Sequence, residues 1–197
     1  MKLLLASGSE TRRRMLADAG VPFGWSAPQV DEEEAKARLL AVGAAPPSIA
    51  QHLAELKALS LPGGTDELVL GCDQILEQDD GSILSKARSR AEAAEQLRAL
   101  RGREHRLHAA ASLAHRGEGV WRGMESATLV MRTFSEAFLQ SYLDREWEAV
   151  RFSVGVYRVE GPGAQLFERV EGSHWAILGL PLLPLLEELR VQGVVTP

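Results

Sequence analysis

The chain has 197 residues, 45% of them hydrophobic and 25% charged, with a formal net charge of −5. Its length and apolar fraction suit one globular domain over residues 1–197. The acidic balance argues against a nucleic-acid partner or an anionic membrane surface, which call for a broad basic field, and a lone cysteine, Cys72, excludes an intrachain disulfide or a cysteine-based zinc cluster.

Leu3–Ala6 reads as a short buried strand and Ser7-Gly8-Ser9 as a turn. A helical pattern follows from Glu10 to Ala19, with Met15, Leu16 and Ala19 on one face and Gly20 as its stop. The apolar run before Ser7 is too short for the core of a signal peptide. A second strand is expected at Phe23–Ala27, then a helix opened by Asp31-Glu32-Glu33-Glu34. Ser48 is the expected cap of a helix over 49–59. Leu68–Cys72 is an apolar strand ending at Asp73-Gln74. Asp79-Asp80-Gly81 has hairpin-turn chemistry and leads into Ile83–Lys86. Ala91–Leu100 is a helix, Arg106–Ala114 and Ser126–Thr133 are strands, and Ser135 caps a helix through Leu143. Phe152–Val159 and Gln165–Arg169 read as strands joined by Gly161-Pro162-Gly163, and the last helix covers Leu182–Val191. Pro181 and Pro184 break the C-terminal apolar stretch well short of a membrane span. The pattern predicts a single α/β domain with a mixed sheet in a cytoplasmic protein.

Five places carry candidate chemistry. The strand–Ser7-Gly8-Ser9–helix junction offers hydroxyls and free helix N–H groups, which attract anions. Arg12 shares the helix face of Leu16 and leans back toward that turn. The alternative is an ordinary Ser9 cap with solvated arginines, Arg14 pairing with Asp18. Asp31-Glu32 either binds a hard cation such as Mg2+ or favours a helix N-terminus. Lys57, at the edge of an apolar helix face, either snorkels to solvent or points into a site. Asp73 ends a buried strand, where α/β sheets place ligands, and a buried carboxylate needs a metal, a lysine or donors beside it. Lys86 either returns along the hairpin toward Asp73 or is an exposed lysine. The five histidines show no metal-ligand spacing. His105 and His108, three apart in a strand, face opposite sides and read as structural.

The order of these blocks is more specific than any one of them. Leu5-Ala6-Ser7-Gly8-Ser9 with Arg12-Arg13, Val30-Asp31-Glu32, Leu53-Ala54 with Lys57-Ala58, and Gly71-Cys72-Asp73-Gln74 follow one another. Lys86, Gly102, His105, Gly155, Tyr157, Glu160-Gly161, Phe167-Glu168-Arg169, Glu171-Gly172 and Gly179-Leu180-Pro181 complete the series. Over nearly the whole chain this resembles the Maf family of nucleoside triphosphate pyrophosphatases.

The resemblance implies an inosine triphosphatase-like fold: a central mixed, twisted sheet flanked by helices, with the active-site cleft at one edge of the sheet. It implies a cytoplasmic, house-cleaning hydrolase that converts a nucleoside triphosphate to the monophosphate and pyrophosphate with a divalent cation (Mg2+, Mn2+ or Co2+). Members often dimerise. Asp73 would be the proton acceptor. Ser7, Arg12, Arg13, Lys57 and Lys86 would contact the triphosphate, and Glu32 and Asp73 would hold the metal. Thr11, Gln74 and Glu160 occupy the positions tied to base choice. The branch acting on thymidine and uridine triphosphates has Arg, Thr and Gln there. The branch linked to 7-methyl-GTP has Gln and Glu at the last two, as here, but Trp in place of Thr11. Glu10, Ser85, Ala87, Ala109-Ala110 and Val154 also depart from the usual pattern, which bears on substrate range. A competing expectation is a nucleotide-binding regulatory protein, associated with cell division, that lacks catalysis.

Overall fold

The computed structural model describes residues 1–196. In chain order its elements are β1 (Lys2–Ala6), α1 (Glu10–Asp18), β2 (Gly24–Ser26), α2 (Glu32–Ala41), α3 (Pro46–Leu59), β3 (Glu67–Gln78) and β4 (Ile83–Leu84). There follow α4 (Arg90–Leu100), β5 (Glu104–His115), β6 (Glu118–Met131), α5 (Glu136–Val150), β7 (Phe167–Gly172), α6 (His174–Ile177) and α7 (Leu182–Val191). The sheet has strand order β2-β1-β3-β5-β6-β7, with β4 paired to β3. β1 runs parallel to β2 and β3, whereas β4 and β7 are antiparallel to their partners. The fold is therefore α/β with a mixed sheet, as the sequence predicts. No helix among the described residues is long and apolar enough to cross a membrane.

The chain divides into two compact units. One comprises Met1–Gln74, His108–Ser126 and the chain from Ser173 on; the other comprises Ile75–Leu107 and Ala127–Gly172.

In the first unit, strand alternation sorts the faces of the sheet. Leu3, Leu5, Leu68, Leu70 and Cys72 meet Met15 and Leu16 of α1 and Leu182, Leu185 and Leu189 of α7 in one core. The next residues along, Ala6 and Val69, meet Ala58 of α3 on the opposite face. Gly71 shares the parity of Val69, and its missing side chain lets α3 lie against β3. A Cβ there would stand 2.1 Å from the Ala54 carbonyl oxygen and 2.4 Å from the Ala58 nitrogen. α3 starts at Pro46, with Ala45 as its cap and prolines in its first turn. The Ser48 cap read from the sequence is displaced because proline fits the opening of a helix, where its missing N–H is not needed. α2 is capped by the Asp31 carboxylate and buries none of its residues.

In the second unit, α4 and α5 pack together over buried Leu97, Leu100, Leu139 and Leu143. The Asp79–Gly81 hairpin forms as expected, closed by Gln78 N–H to the Ser82 carbonyl at 2.8 Å. Residues 152–159 are not a strand. They contain a 3-10 turn at Val154–Val156, with Gly155 at φ 77° and Val156 at φ 60°. Left-handed backbone is foreign to strands and costs a β-branched residue about 1–3 kcal/mol. Residues Pro162–Leu166 form a second 3-10 turn, so the following strand starts at Phe167 rather than Gln165.

Candidate active site

β1 ends at Ala6, which pairs with Gly71 of β3. Two residues further along β3, on the α3 side by parity, comes Asp73. β3 itself continues to Gln78, so Asp73 lies inside a strand and not at its end. What ends near Asp73 is β1, and this exposes the flank of β3 to side chains from other elements.

Lys57 of α3 is buried, and its Nζ lies 2.6 Å from Asp73 Oδ1 and 2.8 Å from Glu32 Oε2. It does not snorkel. A lysine with 6% of its side chain exposed needs anionic partners, and two carboxylates supply them. Gly71 sets the approach of α3, while Asp31 starts α2 so that Glu32 falls in its first turn. Three residues separated in sequence thus form one ionic group.

Ser7 follows β1 and is buried, and its Oγ accepts the Ser9 N–H at 3.2 Å. Ser9 caps α1 through the Arg12 N–H. The Arg12 guanidinium turns toward the protein. Its Nε–H donates to the Gly179 carbonyl at 2.8 Å, and Nη1 donates to the Cys72 carbonyl at 2.9 Å. It thereby holds the peptide that leads into Asp73. Arg13 lies over the Trp25 ring, 4.1 Å from its centroid. Gln74 donates from Nε2 to the Ala176 and Ile177 carbonyls at 2.8 and 3.0 Å. Arg12 and Gln74 together fasten the α6 turn, an element that the sequence reading missed because four residues show no periodicity. The tertiary roles of both side chains are equally hidden, since their carbonyl partners lie 60 to 167 residues away.

Lys86 and Glu160 belong to the second unit and are exposed. Lys86 follows β4, two residues beyond Leu84, which pairs with Leu76. His105 is buried, its Nε2 lies 2.8 Å from the Tyr157 hydroxyl, and both rings contact Phe167. Burial pushes the His105 imidazole down to about 4, so it is neutral at physiological pH. His108, in the first unit, meets the Ser126 hydroxyl at 2.8 Å. Both histidines are structural, as the spacing implied.

No group of three or more His, Cys, Asp or Glu suited to a metal occurs among the described residues. Two hard carboxylates sharing a lysine do fit Mg2+, which takes one or two carboxylates and fills its shell with water and substrate phosphate.

The chain is similar to known proteins over nearly its whole length. The family model described as Maf-like protein matches residues 2–192. A nucleoside triphosphate pyrophosphatase of Sphingopyxis alaskensis is 46% identical over 98% of both chains. Namesakes from Caulobacter vibrioides and Gluconobacter oxydans are 46% and 48% identical, over 98% and 95% of this chain and 96% and 93% of their own. A solved nucleoside-triphosphatase / dITP/XTP pyrophosphatase from Mycobacterium abscessus aligns with 66% of this chain and 74% of its own at 19% identity and TM-score 0.36, too faint a likeness to bear on the fold. The full-length family match and these relatives place the chain in the Maf family.

Proposed function

We propose that the protein hydrolyses a nucleoside triphosphate to the monophosphate and pyrophosphate. The observation that carries this reading is the buried Lys57 held between Asp73 and Glu32. A triphosphate carries about four negative charges near neutral pH, so positive charge must be in place before it binds. Lys57 provides an ammonium already fixed by two carboxylates. Ser7, with its hydroxyl oxygen accepting from Ser9, retains a proton to donate to a phosphate oxygen. Asp73 accepts the proton of the attacking water. Arg12 serves from behind, holding the Cys72–Asp73 peptide in place. Glu32 and Asp73 would hold the divalent cation, which when bound would neutralise phosphate charge.

The base reading is finer. Glu160 would accept hydrogen bonds from guanine N1–H and N2–H2, and its charge suits a cationic methylated ring such as that of 7-methyl-GTP. Gln74 acts on base choice through the α6 turn that it fastens.

The deciding experiment is a substrate panel of 7-methyl-GTP, GTP, UTP, TTP and CTP with Mg2+, Mn2+ or Co2+. Pyrophosphate rather than orthophosphate is expected as the product, with guanine nucleotides preferred. Binding without turnover across the panel would instead identify a nucleotide-binding regulator.

A further inference from the structure

The segment from Ser153 to Gly161 in the second unit is strained at its root. At the root, Gly155 and Val156 both take left-handed backbone angles. Gly155 is required there, since a Cβ would come within 2.6 Å of Tyr157 Cε1 and 2.7 Å of Leu76 Cδ1. Val156 is a β-branched residue in a conformation that glycine adopts freely. Such a residue stays there only when its surroundings over-determine it.

Those surroundings converge on Tyr142 of α5, which is fully buried. Its hydroxyl donates to the Val156 carbonyl at 3.1 Å. That bond holds the peptide that leads into Tyr157. The Tyr157 hydroxyl is engaged by His105, and the Arg158 Nη2 reaches Glu146 at 3.0 Å. Three consecutive residues are each fastened to the unit's interior. Two residues later Glu160 is exposed, near enough for its charge to act on the Tyr142 hydroxyl. Burial and the neighbouring carboxylates push the Tyr142 phenol up, so it remains a donor throughout the neutral range.

We propose that Tyr142 is a positioning residue for base selection, its hydroxyl clasping the left-handed Gly155–Val156 turn and so fixing where Glu160 is presented. This rests on the reading of Glu160 as the group that meets the base. A carboxylate discriminates between bases only if its oxygens stay within hydrogen-bond tolerance of one arrangement of donors. Without the hydroxyl, the strained turn at Val156 would relax and shift the segment that carries Glu160.

The test compares kcat/KM for GTP and UTP in the wild type and four variants. Tyr142→Phe keeps the ring and removes the clasp. The guanine preference should fall about five-fold, the worth of one neutral hydrogen bond, through KM, with kcat for UTP unchanged. In Tyr142→Phe/Val156→Gly the left-handed turn carries no penalty, so the preference should return to that of Val156→Gly alone. Glu160→Gln separates this idea from its premise. If Glu160→Gln leaves the preference intact, the base reading of Glu160 fails and the clasp falls with it. If Glu160→Gln abolishes the preference but Tyr142→Phe only lowers Tm, the clasp alone is overturned. It is likewise overturned if Tyr142→Phe lowers the preference and Val156→Gly does not restore it.

Discussion

In the first unit the buried polar cluster is ionic: Lys57 between Asp73 and Glu32. In the second, beside the Arg158–Glu146 ion pair, lies a neutral group: His105 on Tyr157, with the Tyr142 hydroxyl closing a turn nearby in sequence. A charged cluster is expensive to bury, and each buried member depends on keeping at least one partner of opposite charge. That dependence suits a site that must meet phosphate charge. A neutral cluster contributes shape and rigidity without a strong field. The first unit thus buries an ionic group, whereas the second buries hydroxyls and an imidazole.

The largest effect expected from breaking the ionic cluster is on rate. Asp73→Asn should lower pyrophosphate release by about 10^2–10^4-fold, the usual worth of a positioned proton acceptor. The circular dichroism spectrum should be unchanged, because Lys57 keeps Glu32. Lys57→Met tests the same cluster through stability. It strands Asp73 beside an apolar side chain and should cost about 3–5 kcal/mol in urea denaturation. A cost under about 1 kcal/mol would mean that Asp73 has other support.

The neutral cluster should respond to pH instead. His105 titrates near 6.5 when unfolded and at about 4 in the folded protein. Between those values the unfolded chain binds the extra proton, so stability is fully present above about 6.5 and is lost as pH falls toward 4. The loss attributable to this residue is on the order of 3 kcal/mol. His105→Gln should flatten that limb of the stability–pH curve, and an unchanged slope would refute the assignment. The smallest effect expected is that of Arg13→Ala. Loss of the exposed stack on Trp25 should cost about 0.5–1 kcal/mol and alter tryptophan fluorescence. A large rise in KM would show that Arg13 leaves Trp25 for phosphate.

Strong local signals were legible in the sequence. The caps Ser9, Asp31 and Ser135 all form as side-chain hydrogen bonds, and the final helix covers the expected residues. Position 73 stood out because an acidic residue interrupts an apolar run. What the sequence withheld was decided by distant partners. Residues 152–159 look like a strand from their valines and aromatics, but the hydroxyl of Tyr142 and the space beside Leu76 impose a left-handed turn. Lys57 looks better suited to solvent from its helix alone, until the absent side chain of Gly71 brings α3 down onto β3. Arg12 shows basic charge near a phosphate-like turn, yet nothing local reveals that two backbone carbonyls take its guanidinium.

Cys72 has a consequence of its own. It precedes Asp73, but alternation along β3 points its thiol into the opposite, apolar core. Burial there pushes the thiol up to about 11, so at pH 7 only about one molecule in ten thousand carries the reactive thiolate. Electrophiles and peroxides that disable exposed cysteines should leave this one untouched. The protein therefore sets an oxidisable atom one residue from the Asp73 carboxylate and yet keeps it out of reach of redox stress.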